Sequence, residues 1–491
     1  MVKPSNRRKF LATLGTGSLA FAAGCAGQLS RDTGESDNNG NSDGNGPSDG
    51  NDSQQVSPPA INHGEVVSNF DDDLDEWFAV DGNVNADEEM MLTGSRTARI
   101  ENTGVTAEIA RTFPEGLDMT DKHLSLAVQV DTPRPARVTV RVLAPGNADQ
   151  VWSTRAILST YTGWLRMDVG YTGQRGEPNF GNVQELRITL DDPNPSQANE
   201  DQGEQGNQTN QSNQSGEGNQ TNQSNQSGEG NQTNQSNQSG EGNQTNQEEQ
   251  SEQSDTGIRF WVDDLRTTPA ADQGYVMLTF DDTVASQYTN AFPLFEERDM
   301  QAVAAVVPGS LNQDDRLSIG NLREMRDAGW DISSHPQGTA FRELEDLDAI
   351  QQDIESAYEY LDNRGFSDGA RHMFVPYHHA TEDIMEITRE YHELSSYFGG
   401  TPNAVPFTDP LHLSRVNMFD IEGFTSQIDM AAEHNQLAIG LAHGVVPENE
   451  IENDPLADTT TQQLETLLDY IEESDVQLVT ASELLDNQGS P

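Results

Sequence analysis

Two adjacent aspartates, Asp281 and Asp282, close the apolar run Tyr275–Phe280 in the stretch GYVMLTFDDTVASQ. Carboxylates at the end of a buried strand are costly, and two neighbours repel each other. A divalent cation beside one of them relieves that repulsion and keeps both ionised. Carboxylates around a cation suit the activation of water, with a histidine to protonate what leaves. His335 in GWDISSHPQGTAF, Tyr377 in FVPYHH and His443 in IGLAHG are candidates to share such a site. The competing reading is a helix N-cap, with Asp282 capping the next helix and Asp281 solvated.

The surrounding pattern decides where these residues sit. Apolar runs YVMLTF, AVAAVVP (302–308), HMFVPY (372–377), LAIGLAH (437–443) and VQLVT (476–480) alternate with helical periods. The helices are expected over 289–298, 320–328, 344–364, 381–391 and 460–473. Continuously apolar strands alternating with helices imply a parallel β/α architecture. Active sites of such folds lie at the C-terminal ends of the strands, where Asp281, Asp282, His335, Tyr377 and His443 all fall.

TFDD followed by GWDISSHP, FVPY and LAHG, in that order and spacing, resembles the polysaccharide deacetylase family, the NodB-type carbohydrate esterases. The resemblance covers 274–485, within an expected domain at 271–491. It implies a distorted, incomplete (β/α) barrel that hydrolyses N- or O-acetyl groups of glycans with a divalent metal, zinc first. By the same resemblance Asp281 is the general base, Asp282 and His335 are metal ligands, and His443 is the general acid. The backbone N–H of Tyr377 would hold the oxyanion. Thr339 stands where the family has a second histidine ligand, and Phe374 where it has an arginine that steadies the catalytic aspartate. A counterpart of the family's Asp/Trp fourth motif is missing. His379, or alternatively His378, follows FVPY at a strand end and is a candidate third ligand; the other reading makes both surface or substrate contacts. A non-catalytic glycan-binding protein with a degenerate deacetylase domain is the rival to the enzyme.

Residues 64–270 read as β. LSLAVQV (124–130), RVTVRVL (137–143), WLRMDV (164–169) and LRITL (186–190) alternate apolar and polar residues between turn signals, as in a β-sandwich. The opening VVSNFDDDLDEW and the closing GIRFWVDDLRTTP resemble carbohydrate-binding jelly-roll modules, whose first and last strands lie close together. That places residues 196–256 as an insertion before the last strand. Their repeat GEGNQTNQSNQS has no apolar residue and reads as disordered. It carries Asn-Gln-Thr/Ser sequons such as Asn207, Asn210 and Asn213, either glycan acceptors or by-products of a polar tract. Phe260 and Trp261 should face opposite ways, Trp77 and Trp164 should be core, and Asp263 and Asp264 are candidates for structural calcium.

Of 491 residues, 82 are acidic and 27 are Lys or Arg, a formal net charge of −55. Such a balance argues against nucleic acid or anionic lipid as a partner. Lysine occurs only at 3, 9 and 122, and the acidic, lysine-poor surface suits high salt. SNRRKFLATLGTGSLAFAAGC resembles a twin-arginine export signal ending in a lipobox at Cys25, the one cysteine. The expected organisation is a signal at 1–25, a disordered tether at 26–63, and anchoring to the outer face of the membrane through lipidated Cys25 alone.

Overall fold

Period-2 alternation builds the described residues between Glu65 and Pro269 into two antiparallel sheets. One runs Leu165–Val169, Lys122–Val130, Ile258–Pro269, Thr97–Asn102, Asn83–Asp87, with Glu65–Ser68 also paired to Ile258–Pro269. Glu65 sits opposite Thr267, so the two ends of this region meet. The second sheet runs Gly173–Arg175, Gln150–Ile157, Ala136–Leu143, Val183–Asp191, Thr106–Leu117, Trp77–Asp81. Leu124, Leu126 and Val128 from the first sheet and Val138, Val140 and Val142 from the second are buried in one apolar cluster. The computed structural model describes residues 64–131, 135–145, 149–158, 160–193, 257–344 and 346–488; Cys25, the tether and the Asn-Gln repeat lie outside them.

Trp77 and Trp164 are buried, as expected of core residues. Phe260 and Trp261 do not divide between inside and outside, because both are buried. Trp261 packs with Ala127 and Trp164 beneath Met90 and Leu92, and its Nε1–H donates to Asp87. The calcium expectation fails at Asp263 and Asp264. Asp263 already accepts from the N–H groups of Leu92, Thr93 and Asp264, and Asp264 pairs with Arg166 and Arg266. Their charge is answered inside the fold.

Beyond Gly274 seven parallel strands close on themselves. They are Gly274–Phe280, Val303–Val306, Asp331–Ser334, His372–Phe374, Leu394–Phe398, Leu413–Asn417 and Gln436–Ala442, and the last pairs with the first. Helices Ile319–Asp327, Leu347–Asp362, Glu382–Tyr391, Ile421–His434 and Thr461–Glu473 run between or after them. Ser318 and Thr460 start two of these with reciprocal capping boxes, each side chain satisfying N–H groups the helix leaves over.

The barrel does not end at its own wall. Asn403–Ala404 pairs antiparallel with the seventh strand, and Asn403 also faces Val169 of the N-terminal sheet. Buried polar bonds stitch the same junction. Arg155 donates to the His412 carbonyl at 2.7 Å, and Asp168 accepts from the Thr408 N–H at 2.9 Å and from its hydroxyl at 2.5 Å.

Candidate active site

The first and seventh barrel strands set two of the chemical residues side by side. Phe280 lies opposite Ala442, so Asp281 and His443 leave adjacent strand ends, and the Asp281 N–H donates to the Ala442 carbonyl. Gln287, fully buried, ties the two ends together by donating to the carbonyls of Asp281 at 2.5 Å and His443 at 3.0 Å.

Asp281 is buried and meets Arg415 in a two-pronged ion pair of 2.9 and 2.7 Å. Burial pushes the Asp281 carboxyl up, but the Arg415 guanidinium, helped by His335, overrides it and holds the group at about 2. Arg415 comes from the sixth strand and is itself fully buried. Its guanidinium stands 5.3 Å from the centre of the Phe374 ring. The cation that meets Asp281 thus comes from the sixth strand and lies over the Phe374 ring of the fourth.

Asp282 and Thr283 both adopt left-handed backbone, with φ of 70° and 60°. A β-branched residue rarely does so, and such strain collects at working sites. The Thr283 hydroxyl accepts from the Val307 N–H at 2.7 Å and Arg316 donates to the Asp282 carbonyl at 2.6 Å, which fix the turn. The N-cap reading of Asp282 fails, because the next helical turn is Gln287–Ala291 with Ser286 at its cap position.

Asp282 instead points its carboxylate at His335, with Oδ1 3.4 Å from Nε2. The His335 Nδ1–H donates to the Phe374 carbonyl at 2.6 Å, so Nε2 is the ring nitrogen that faces the Asp282 oxygen. Either a proton on Nε2 or a cation shared by the two answers that oxygen. A tetrahedral zinc with bonds of about 2.0–2.1 Å sets its ligands about 3.3–3.4 Å apart, so this pair fits two positions of such an ion. The pair is incomplete. Among the described residues no set of three His, Cys, Asp or Glu side chains assembles to hold a metal. Thr339 is exposed at the start of the short helix Thr339–Glu343.

The histidines after FVPY part company. The His379 Nδ1–H donates to the Phe341 carbonyl at 2.8 Å. His378 has its Nδ1 buried without a hydrogen-bonding partner. Burial first, then the charge of Arg415, hold its imidazole down at about 3, and it also feels Asp281, His335 and His443. Of the two, His378 belongs to the electrostatics of the site. Tyr377 has left-handed backbone, φ 54°, and its exposed ring lies 4.6 Å from the Arg342 guanidinium.

His443 donates from Nδ1 to Asp458 at 2.7 Å, and Asp458 also accepts the His443 backbone N–H at 3.0 Å. Burial pulls this imidazole down, yet the Asp458 bond and the Asp281 charge raise it to about 9. Asp458 lies on the strand Ala457–Thr460, fifteen positions beyond the histidine it orients. Sequence reasoning missed both Arg415 and Asp458. The sole signal for Arg415 is a lone arginine within LSRVN, a strand-length stretch that cannot be buried cheaply without a carboxylate to meet it.

Residues 268–392 match the polysaccharide deacetylase family. Arg415, His443 and Asp458 lie beyond that match. Among curated proteins none matches the chain. Among solved structures, the chain is similar to the Xyl-CE4 domain of a multidomain xylanase from the hindgut metagenome of Trinervitermes trinervoides. The identity there is 14%, over 45% of this chain and 93% of that one, with a TM-score of 0.32. A family 4 acetyl xylan esterase from Clostridium thermocellum, in complex with a cobalt ion, is 16% identical over 44% and 93%, with a TM-score of 0.31. Peptidoglycan deacetylase PdaC from Bacillus subtilis is 12% identical over 43% and 90%, with a TM-score of 0.30.

Proposed function

We propose that this protein hydrolyses acetyl groups of an extracellular or cell-surface polysaccharide with the help of a divalent cation. One observation carries the reading: adjacent strand ends hold a carboxylate kept ionised at about 2 and an imidazole kept protonated at about 9. At neutral pH these are a base and an acid in their working forms. Asp282 and His335 would hold the cation, zinc first. When bound there, a cation supplies Lewis acidity, polarising the acetyl carbonyl and lowering the proton affinity of the attacking water.

Asp281 takes the water's proton. A carboxylate at about 2 is a weak base, so its advantage is a fixed position and complete ionisation, both set by Arg415. With Nδ1 committed to Asp458, His443 presents its Nε2–H and delivers that proton to the departing amine or alcohol. The Tyr377 N–H is the proposed donor to the oxyanion. The base and acid both have their partners, and this speaks against the non-catalytic rival.

We further propose that the two antiparallel sheets are a jelly-roll-like, carbohydrate-binding β-sandwich, supported by their shared core and the meeting of first and last strands. Export and lipid anchoring at Cys25 are proposed from the N-terminal sequence. The test is acetate release from acetylxylan and from N-acetylated chitooligosaccharides, with zinc or cobalt added and with chelator. Metal-dependent acetate release that Asp281→Asn abolishes is expected. Saturable glycan binding with no acetate from either substrate would favour the non-catalytic protein.

A further inference from the structure

A second cleft lies at the junction of the N-terminal sheet and the barrel, at the opposite pole from the acid–base pair. It has a volume of about 200 Å³ and is lined by Met119, His123, Tyr171, Phe180, His434 and Asn435, among others. His434 closes the helix Ile421–His434 and Asn435 precedes the seventh barrel strand, whereas His443 follows that strand. Seven residues at about 3.3 Å each set the two places roughly 23 Å apart.

The cleft has polar groups with nothing to bond. The hydroxyl of Tyr171 is buried without a hydrogen-bonding partner, and the ring of His123 has none but the Asn435 backbone, in side chains only 1% and 2% exposed. Such groups are rare in folded proteins, and each calls for a ligand, an ion or water. Burial holds His123 at about 4, against the pull of the Asn435 backbone, so the ring is neutral and offers one donor and one acceptor. The Tyr171 hydroxyl offers both. Around them stand rings: Tyr171 and Phe180 each meet His434 edge-on, with centroids 5.2 and 5.8 Å apart.

The charges at the rim narrow the choice of ligand. Lys122 is paired with Glu65 at 2.6 Å, and Glu433 accepts from Gln174 at 2.5 Å. An anion therefore finds no uncommitted ammonium there. A wholly apolar guest would leave the Tyr171 hydroxyl and a His123 nitrogen unmet. The volume is roughly that of seven waters. We propose that this cleft is a binding site for an uncharged, polyhydroxylated ring of monosaccharide size, its hydroxyls meeting His123 and Tyr171 and its apolar face an aromatic wall. The site does not depend on the hydrolytic reading, because it shares no residue with it.

The experiment is titration of the intact protein with methyl glucoside and with N-acetylglucosamine, followed by calorimetry and saturation-transfer NMR. Binding of either sugar should persist in Asp281→Asn and weaken at least tenfold in Tyr171→Phe and in His123→Phe. Tyr171→Phe removes only an unpartnered hydroxyl, so its melting temperature should not fall, which separates lost binding from lost folding. The proposal is overturned if Asp281→Asn abolishes binding while Tyr171→Phe retains it. It is equally overturned if neither sugar binds at millimolar concentration, or if Tyr171→Phe melts well below the parent.

Discussion

Arg415 and Asp281 meet in a buried, two-pronged ion pair although they come from the sixth and first strands of the barrel. Phe374, on the fourth strand, lies against the arginine rather than replacing its function. The charge that steadies Asp281 is therefore delivered by the sixth strand, not by the strand that carries Phe374.

Removing that charge should be costly twice. In Arg415→Met the Asp281 carboxylate is left buried and unpaired, and stability should fall by about 3–5 kcal/mol. Hydrolytic activity should drop by at least 10²-fold, with Arg415→Lys recovering part of the stability but not the two-pronged geometry. Denaturant melts and acetate assays on both variants check this. Asp281 has a depressed folded value, so its contribution is present above the ordinary carboxylate range and is lost as pH falls through about 2. The parent should accordingly resist acid better than Arg415→Met.

The His443–Asp458 bond predicts the alkaline limb of the pH profile. His443 is raised from an ordinary 6.5 to about 9, so its stabilising effect is complete below about 6.5 and disappears as pH rises through about 9. Activity per substrate encounter should fall over the same upper range as the acid form is lost. Asp458→Asn should move that limb down by a pH unit or more and flatten the stability change between 6.5 and 9. A limb unmoved by Asp458→Asn would remove His443 from the role of acid.

Metal retention should sort the remaining ligands. Asp282→Ala and His335→Ala should each weaken zinc binding by more than tenfold, read by competition with a chromogenic chelator. His378→Ala should weaken it more than His379→Ala, because the buried Nδ1 of His378 has no other partner and its ring feels Asp281, His335 and His443. Thr339→His, adding an imidazole at the exposed start of its helix, should tighten retention by tenfold or more.

Cys25→Ser should release the protein from the membrane fraction. Among the described residues no helix is long and apolar enough to cross a membrane, so this proposed anchor has a direct test in cell fractionation. Unchanged membrane association in the variant would refute the lipid attachment.

The sequence carried the parts of the fold that announce themselves by apolar runs. The first, second and seventh barrel strands and the helices at Ile319–Asp327, Leu347–Asp362 and Thr461–Glu473 lie close to their expected places. The fifth and sixth strands, LSSYF and LSRVN, do not look apolar, because Ser395, Ser396, Ser414 and Arg415 are buried polar residues in the barrel. A strand that carries polar groups inward hides from a hydrophobic pattern, and it hid Arg415 with it. The motifs also named Asp281, Asp282, His335 and His443 without their partners. Those partners are fixed by strand register, which no local spacing encodes.

The continuous hydrogen-bonded path from Val169 through Asn403 to the seventh strand has a practical consequence. A fragment cut at residue 270 would strip the barrel of the sheet beside Asn403 and uncover Thr408 and the His412 carbonyl, now bonded to Asp168 and Arg155. The N-terminal sheet is a wall of the barrel rather than an appendage on a hinge. Expression of the barrel alone, or its transplantation onto another module, starts from a surface never built to meet water.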